Sequence, residues 1–361
     1  MSENNGKVDS YVSGELTAEM LRNREKLREE RPYVYEKLMK YLQLGNDPSN
    51  PYCARIDWAI GYECNFSCKH CFAKAFVGRT ENMRMTLDQI RQVAEQADEL
   101  GVFMINLIGG EPLIWHDLFD IIRVLDPQRF RISITSNGWR LDKAMAERLV
   151  AAGVDRVCIS LDSALPEEHD TFRGVKNAHE RAVAAVRHAL SAGLVTQVAT
   201  CVTHQNLHSE GIQKLFAFTN ELGVYMDLPV AAPCGEWLGK TDMLITEEDA
   251  EYIRSLRTKY PLIRRDIFPT PGMLGGCFAV KQTLYVIPSG DVLPCLLIHG
   301  ALGNVFVDSL KTIRTRGLTI PVFNRYLPKC LAGEDREFIA QHISRTFNAD
   351  TLPVPFEEFF L

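Results

Sequence analysis

Between residues 55 and 230, apolar runs of strand length alternate with longer stretches of helical pattern, and this beat limits the fold more than any other feature of the sequence. RIDWAI precedes a helical 86–100, FMINLIG precedes 117–125, FRISITS precedes 141–152, RVCISLD precedes 177–192 and TQVATCV precedes 208–222. VYMDLPV at 224–230 has no clear successor helix. Parallel strands need crossover connections, and a helix over each crossover buries one face of the sheet, so the beat predicts parallel strands covered by helices. Six alternations predict an α/β fold: a partial (β/α)6 barrel of the TIM type. In such barrels chemistry sits at the C-terminal strand ends, where the following loops converge. Every conspicuous motif obeys that rule. CNFSCKHC follows the first strand, GGEP the second, TSNG the third and LDS the fourth.

Residues 14–43 are rich in helix formers, with Leu21, Leu27, Tyr35, Leu38 and Leu42 at helical intervals and Pro32 placed to divide two helices. After about 233 the beat stops. A helix is predicted over 246–259, then comes the Pro/Gly-rich FPTPGMLGGC, then TLYVIPSGDVLPC, which reads as a hairpin around a Ser-Gly-Asp turn. The organisation predicted is a helical segment over 1–50, the barrel over 51–240, a small hairpin-and-helix extension over 241–345 and a tail over 346–361. With 361 residues, 46% of them hydrophobic, the chain can bury a large core. A net charge of −6 with scattered Lys and Arg gives no electrostatic footprint for nucleic acid or an anionic membrane, so neither partner is expected. The opening MSENNGKVDS lacks the basic and apolar regions of a secretory signal, and no apolar run is long enough to span a bilayer; a cytoplasmic protein is expected. In a reducing compartment ten cysteines point to metal binding or catalysis rather than disulfides.

Cys64, Cys68 and Cys71 have the spacing C-x3-C-x2-C. Three small residues on one buried helix face would share that spacing, but Asn65 and Ser67 favour a turn. Zinc normally takes four ligands in a closed site, for which His70 is a candidate. A 4Fe-4S cluster held by three thiolates keeps one iron open to a ligand bringing its own nitrogen and oxygen donors. On that reading the absent fourth cysteine is the working position.

CNFSCKHC after the first strand, joined to GGEP after the second, resembles the radical S-adenosylmethionine (SAM) superfamily. The resemblance implies that the open iron binds the amino and carboxylate groups of SAM. An electron from the cluster then breaks a sulfonium C–S bond, and the 5'-deoxyadenosyl radical takes a hydrogen atom from a substrate. It also assigns candidate cofactor-binding residues. Gly109, Gly110 and Glu111 would meet the methionine amino group, the glycines by close backbone approach and the carboxylate through charge-assisted hydrogen bonds. Ser136, Asn137, Ser160 and Asp162 would line the ribose and carboxylate side, although each could instead cap a helix. Arg173 would approach the methionine carboxylate, with a solvated surface arginine as the alternative. His70 and Phe72 would lie near adenine or shield the cluster.

Cys277, Gly290 and Cys295 form C-x12-G-x4-C, and HGALGNVFVDSLKTI follows; both resemble the SPASM or twitch extension of part of that superfamily, which holds auxiliary iron–sulfur clusters. The chain departs from the SPASM pattern, because only Cys330 follows. Three metal-ligating candidates, Cys277, Cys295 and Cys330, allow at most one auxiliary 4Fe-4S cluster. Its fourth ligand would be Cys234, an acidic or histidine side chain, or the substrate; loss of the cluster, leaving buried cysteines, is the alternative. Cys234, just past the sixth strand, is also a candidate hydrogen-atom donor or a plainly packed thiol. Cys53, Cys158 and Cys201 read as packing residues.

The expected function is hydrogen abstraction from a small molecule, a sugar, aminocyclitol or other natural-product intermediate, ending in oxidation or epimerisation. An external electron donor such as flavodoxin or ferredoxin would serve it. Maturation of a ribosomally made peptide is the alternative; no winged-helix recognition domain is legible in the N-terminal helices. A non-catalytic iron–sulfur sensor or electron carrier, or a zinc protein, would represent a different class.

Overall fold

The computed structural model describes residues 18–44, 52–76, 83–269 and 275–361. Two helices come first, α1 (Ala18–Glu30) and α2 (Pro32–Leu44), with Pro32 at the first position of α2, where its missing N–H leaves nothing unsatisfied. The beat follows: β1 (Arg55–Ala59), α3 (Leu87–Glu99), β2 (Met104–Ile108), α4 (Leu118–Leu125), β3 (Arg131–Ser136), α5 (Lys143–Ala151) and β4 (Val154–Ser160). It continues through α6 (Pro166–Arg173), α7 (Ala178–Ala192), β5 (Val195–Ala199), α8 (Glu210–Glu221), β6 (Tyr225–Asp227), α9 (Glu247–Lys259) and β7 (Ile263–Arg264). The C-terminal part adds β8 (Thr283–Val286), β9 (Asp291–Leu293), β10 (Gly303–Asn304), α10 (Leu310–Leu318), α11 (Arg336–Gln341) and α12 (Phe356–Phe360).

All ten strands join one open sheet in the order β10-β9-β8-β1-β2-β3-β4-β5-β6-β7. From β8 to β7 every pairing is parallel, and β9 and β10 run antiparallel. The predicted partial barrel is therefore present, extended in two ways. A two-residue β7 pairs with β6, and the first strand of the predicted hairpin lies parallel to β1, with Arg55 opposite Thr283. The hairpin thus continues the barrel sheet. The tail also returns to the body: Gly300 bridges to Val354, and Phe359 is fully buried where a side chain on Gly300 would stand.

Local signals explain the helices. Thr86 and Thr246 close capping boxes with Gln89 and Asp249, and Asp142 and Ser209 cap α5 and α8, each satisfying backbone N–H groups a helix leaves open. The sheet sorts its side chains by alternation. On β2 and β3, Ile105, Leu107, Ile132 and Ile134 are buried against the helices, where Val93, Ile122, Leu149 and Val186 complete the core. Among the alternate residues, Asn106, Ser133 and Thr135 put polar groups into the lumen: Thr135 donates to Asn106 (3.1 Å), and Asn106 and Thr283 donate to Asp57 (2.9 and 3.3 Å). Closed barrels fill this space with branched apolar side chains, so a polar lumen fits a barrel that receives ligands.

α1 and α2 dock at the N-terminal strand ends, away from the cysteine loop. Arg31 pairs with Asp155 (2.6 Å) and donates to the Pro127 carbonyl (3.0 Å), while buried Lys37 pairs with Asp98 and donates to the Val102 carbonyl (2.9 Å). Among the described residues no helix is long and apolar enough to cross a membrane.

Candidate active site

The cysteine loop is held from two sides by backbone. Beyond β1 and β2 the ladder continues: Gly110 N–H donates to Gly61 (2.8 Å) and Glu111 N–H to Glu63 (2.9 Å). A Cβ on Gly109, whose φ is +127°, would stand 2.2 Å from the Gly61 oxygen, and one on Gly110 would stand 2.0 Å from the Glu63 oxygen. The close approach that needs these glycines is thus to the cysteine loop itself. On the far side Gly235, φ +60°, brings the segment after β6 so near that its Cβ would lie 2.1 Å from the Cys71 oxygen, which accepts from Glu236 N–H at 3.1 Å. Residues 64–71 form turns with no α-helix, so the shared helix face does not exist. Cys71 N–H donates to Cys68 (3.3 Å), Lys69 N–H to Phe172 (3.0 Å), and a 3-10 turn follows over Phe72–Ala75.

These loops enclose a cavity of about 620 Å³ at the C-terminal strand ends. Cys64, Cys68 and Cys71 line it together with Gly109, Gly110, Glu111, Ser136, Asn137, Ser160, Arg173, His70 and Phe72. Of the candidate cofactor residues only Asp162 stands behind the wall. Its Oδ2 accepts from Arg173 Nε (2.6 Å) and its Oδ1 from Cys201 N–H (3.0 Å). Burial works to raise its carboxyl, but the opposing groups together, Arg173 first among them, hold it below the usual range. Arg173 is buried, not a solvated surface group, and its Nη1 reaches Cys68 Sγ at 3.9 Å. Asp162 therefore orients a cation beside a thiol.

Glu111 is almost fully buried. Its Oε1 accepts from Ser136 Oγ (2.7 Å) and Leu113 N–H (3.0 Å), and its Oε2 accepts from Asn137 N–H (2.7 Å). Burial pushes this carboxyl up while those donors pull it back. Asn137 Nδ2 in turn donates to Asn65 Oδ1 (2.9 Å), tying the TSNG turn to the cysteine loop. His70 stacks on Phe172, centroids 4.2 Å apart and rings 10° from parallel, and its Nδ1 is buried without a hydrogen-bond partner among the described residues. Cys64 is open to solvent, whereas Cys68 and Cys71 are half-buried, and desolvation raises both of these thiols, with Arg173 opposing the rise at Cys68.

The donor set suits an iron–sulfur cube: three soft sulfurs on one wall, facing polar groups rather than a fourth thiol on the other. Among the described residues no three His, Cys, Asp or Glu side chains stand close enough to hold one ion, as a closed zinc site requires.

Of the second cysteine set, Cys277 precedes β8 and Cys295 follows antiparallel β9, which places both toward the N-terminal strand ends rather than in the wall of the cysteine cavity. Cys277, Cys295 and Cys330 are buried or partly buried, and burial followed by the neighbouring Cys277 and Cys330 raises Cys295. Cys330 N–H donates to Glu334 (2.7 Å), itself paired with Arg265 at 2.6 Å. Buried Cys234 is pushed up to about 12 by burial, then by Cys71 and Cys330, which places it between the two sets.

Sequence reasoning missed α6, which carries Arg173, though Pro166 at its start, two glutamates in its first turn and left-handed Gly174 at its end are sufficient signals. It also missed Asn65 and Thr135 in the cavity wall, and His169. His169 Nδ1 accepts from Asp162 N–H (3.0 Å), so protonating the ring there breaks a buried bond. Burial, then Arg173 and His179 against Asp162, lowers His169 to about 4. A depressed histidine pKa leaves stability intact above the unfolded value near 6.5 and removes it as pH falls toward 4. Denaturant unfolding at pH 7 and pH 5 should show about 2 kcal/mol of loss from this group. The loss should shrink in His169→Asn; an unchanged loss would rule His169 out as its source.

Comparison with known proteins gives a consistent picture. The radical SAM superfamily model matches residues 58–216. An AdoMet-dependent heme synthase of Nitratidesulfovibrio vulgaris is 26% identical over 288 residues, 72% of this chain and 78% of that protein. The mycofactocin maturase MftC of Mycolicibacterium smegmatis is 25% identical, over 75% of this chain and 71% of its own. A protein of Saccharolobus islandicus described as a "Probable GTP 3',8-cyclase" is 30% identical over 65% of this chain and 71% of its own. Among solved structures, SuiB of Streptococcus suis bound to S-adenosylmethionine superposes with a TM-score of 0.59 at 17% identity, covering 89% of this chain and 76% of SuiB. That likeness speaks for the fold.

Proposed function

Because this chain belongs to the radical SAM superfamily, whose members use a 4Fe-4S cluster and S-adenosylmethionine, we propose that it removes a hydrogen atom from a small-molecule substrate and releases an oxidised product. The observation that carries this reading is the convergence of three thiols and nine of the ten candidate cofactor residues on one cavity at the strand ends. When bound, the cluster and cosubstrate supply one-electron cleavage of the sulfonium and the abstraction of a hydrogen atom. The chain supplies the rest. Cys64, Cys68 and Cys71 hold three irons. Gly109, Gly110 and Glu111 face the amino group, and Ser136, Asn137 and Ser160 face the ribose and carboxylate. Arg173, fixed by Asp162, meets the carboxylate. His70 and Phe72 border the adenine, where the His70–Phe172 stack gives a flat wall and buried Tyr62 and Trp237 keep water out.

Cys277, Cys295 and Cys330 would hold an auxiliary 4Fe-4S cluster, which when bound would supply an acceptor for the second electron and so favour oxidation over epimerisation. Flavodoxin or ferredoxin is the electron source. Cys234, lying between the sets, completes the auxiliary cluster. The likeness to MftC over three-quarters of the chain supports a second reading, maturation of a peptide.

Anaerobic reconstitution tests the proposal. The expected results are about eight irons per chain, two four-iron cubes, and 5'-deoxyadenosine on mixing reduced protein with S-adenosylmethionine. About four irons would remove the auxiliary cluster. No 5'-deoxyadenosine from protein with its cluster verified would turn the reading to a sensor or electron carrier. Undiminished iron and product in Cys234→Ala would strip Cys234 of any special role.

A further inference from the structure

Beneath the cysteine cavity the lumen holds a second hollow of about 280 Å³ toward the N-terminal strand ends, and Thr135 lines both spaces. Arg131 of β3, Arg156 of β4 and Arg264 of β7 line it, with Asn106, Gln197 and Asp227 between them. Guanidinium groups withdrawn from water need partners, and nearby arginines have them: Arg55 pairs with Asp266 (3.0 Å) and Arg265 with Glu334 (2.6 Å). Arg156 is different. Its Nε is buried with no hydrogen-bond partner among the described residues, and its Nη1 makes only a long bond to Gln197 Oε1, 3.4 Å. Arg131 reaches Asp155 at 3.6 Å, but Arg31 holds that carboxylate at 2.6 Å.

Three carboxylates line the hollow with six arginines, and two of them are engaged elsewhere, Asp155 by Arg31 and Asp266 by Arg55. Burial, then Arg131 and Arg264, lower Arg156 to about 10. The third carboxyl lining the hollow is that of Asp227, which burial raises while Arg264 and Arg156 oppose the rise. A planar guanidinium fork matches two oxygens of a carboxylate or phosphate, and arginine is chosen where such groups are read. The volume falls below the usual ~300–1,000 Å³ of a site for a complete ligand, so the hollow houses part of one. Thr135 marks the way upward.

We propose that the lower lumen binds a carboxylate or phosphate group of the substrate, received by Arg156 with Arg131 and Arg264, while the reacting carbon extends past Thr135 into the cysteine cavity. The anion site stands on this geometry alone; its assignment to the substrate rests on the function proposed above.

Calorimetric titration of the iron-replete, anaerobic protein at low ionic strength tests it, with sodium pyrophosphate and sodium succinate as probes. One probe should saturate a single site, pyrophosphate indicating a phosphorylated substrate and succinate a carboxylated one. Arg156→Gln and, independently, Arg131→Gln should each weaken that binding at least tenfold, and Arg156→Lys, which keeps charge but loses the fork, should fall between. Binding of S-adenosylmethionine should stay unchanged in all three. Failure of both probes to saturate, or equal affinity in the glutamine variants, overturns the proposal. Measuring 5'-deoxyadenosine in the same preparations keeps the two readings apart. Saturable anion binding without cleavage leaves the site and removes its link to radical chemistry, whereas cleavage without anion binding does the reverse.

Discussion

Cys71→Ala will fold yet carry about four fewer irons per chain, and its 5'-deoxyadenosine formation will fall by more than about 100-fold, the upper end of losses seen when only outer-shell partners are removed. The fold survives because Cys71 holds its surroundings through its backbone. Its carbonyl accepts from Glu236 N–H (3.1 Å) and Lys74 N–H (3.4 Å), and alanine keeps that carbonyl. What goes is one corner of the cube. Two thiolates leave two irons exposed, and Cys64 and Cys68 are the cysteines of the loop that remain. Iron analysis and electron paramagnetic resonance of the reduced protein check the result. Full iron with normal product would mean that residues 64–71 do not hold the reactive cluster.

Glu111→Gln will destabilise the protein by about 2 kcal/mol, the typical cost of a buried donor left unpaired, and weaken S-adenosylmethionine binding roughly tenfold, equivalent to 1.4 kcal/mol. The carboxylate accepts three hydrogen bonds, two of them from backbone N–H groups on opposite oxygens, Leu113 on Oε1 and Asn137 on Oε2. A glutamine amide has one oxygen, so whichever way it turns its NH2 opposes one backbone donor. Losing the bond to Asn137 also loosens Asn65, and with it the cysteine loop. Denaturant unfolding and equilibrium binding measure the two effects. Unchanged affinity alongside lowered stability would confine Glu111 to a structural role.

Much of this arrangement was legible before any coordinates. The strand–helix beat depends on local periodicity, and β1 to β6 follow it closely. The cysteine triplet and GGEP were readable because chemistry restricts spacing as well as residue type. What escaped reading depends on distant contacts. Pairing of β8 with β1 joins Thr283 to Arg55 across more than half the chain, and no local pattern encodes it. β7 is too short to carry a periodic signal. The close approach that Gly109 and Gly110 make is to residues 61–63, a contact that the GGEP motif alone does not reveal. Asp162 looked like a ligand-facing carboxylate; only three dimensions show both its oxygens turned to Arg173 and Cys201.

The unbroken ladder from β9 through β8 to β1 has a kinetic meaning. Electron hopping falls off steeply with separation, and if the proposed second centre forms, the hydrogen bonds joining β9, β8 and β1 would help to fix its distance from the first. The opposite margin is held by a far shorter ladder, where β7 clasps β6 through two residues, Ile263 and Arg264.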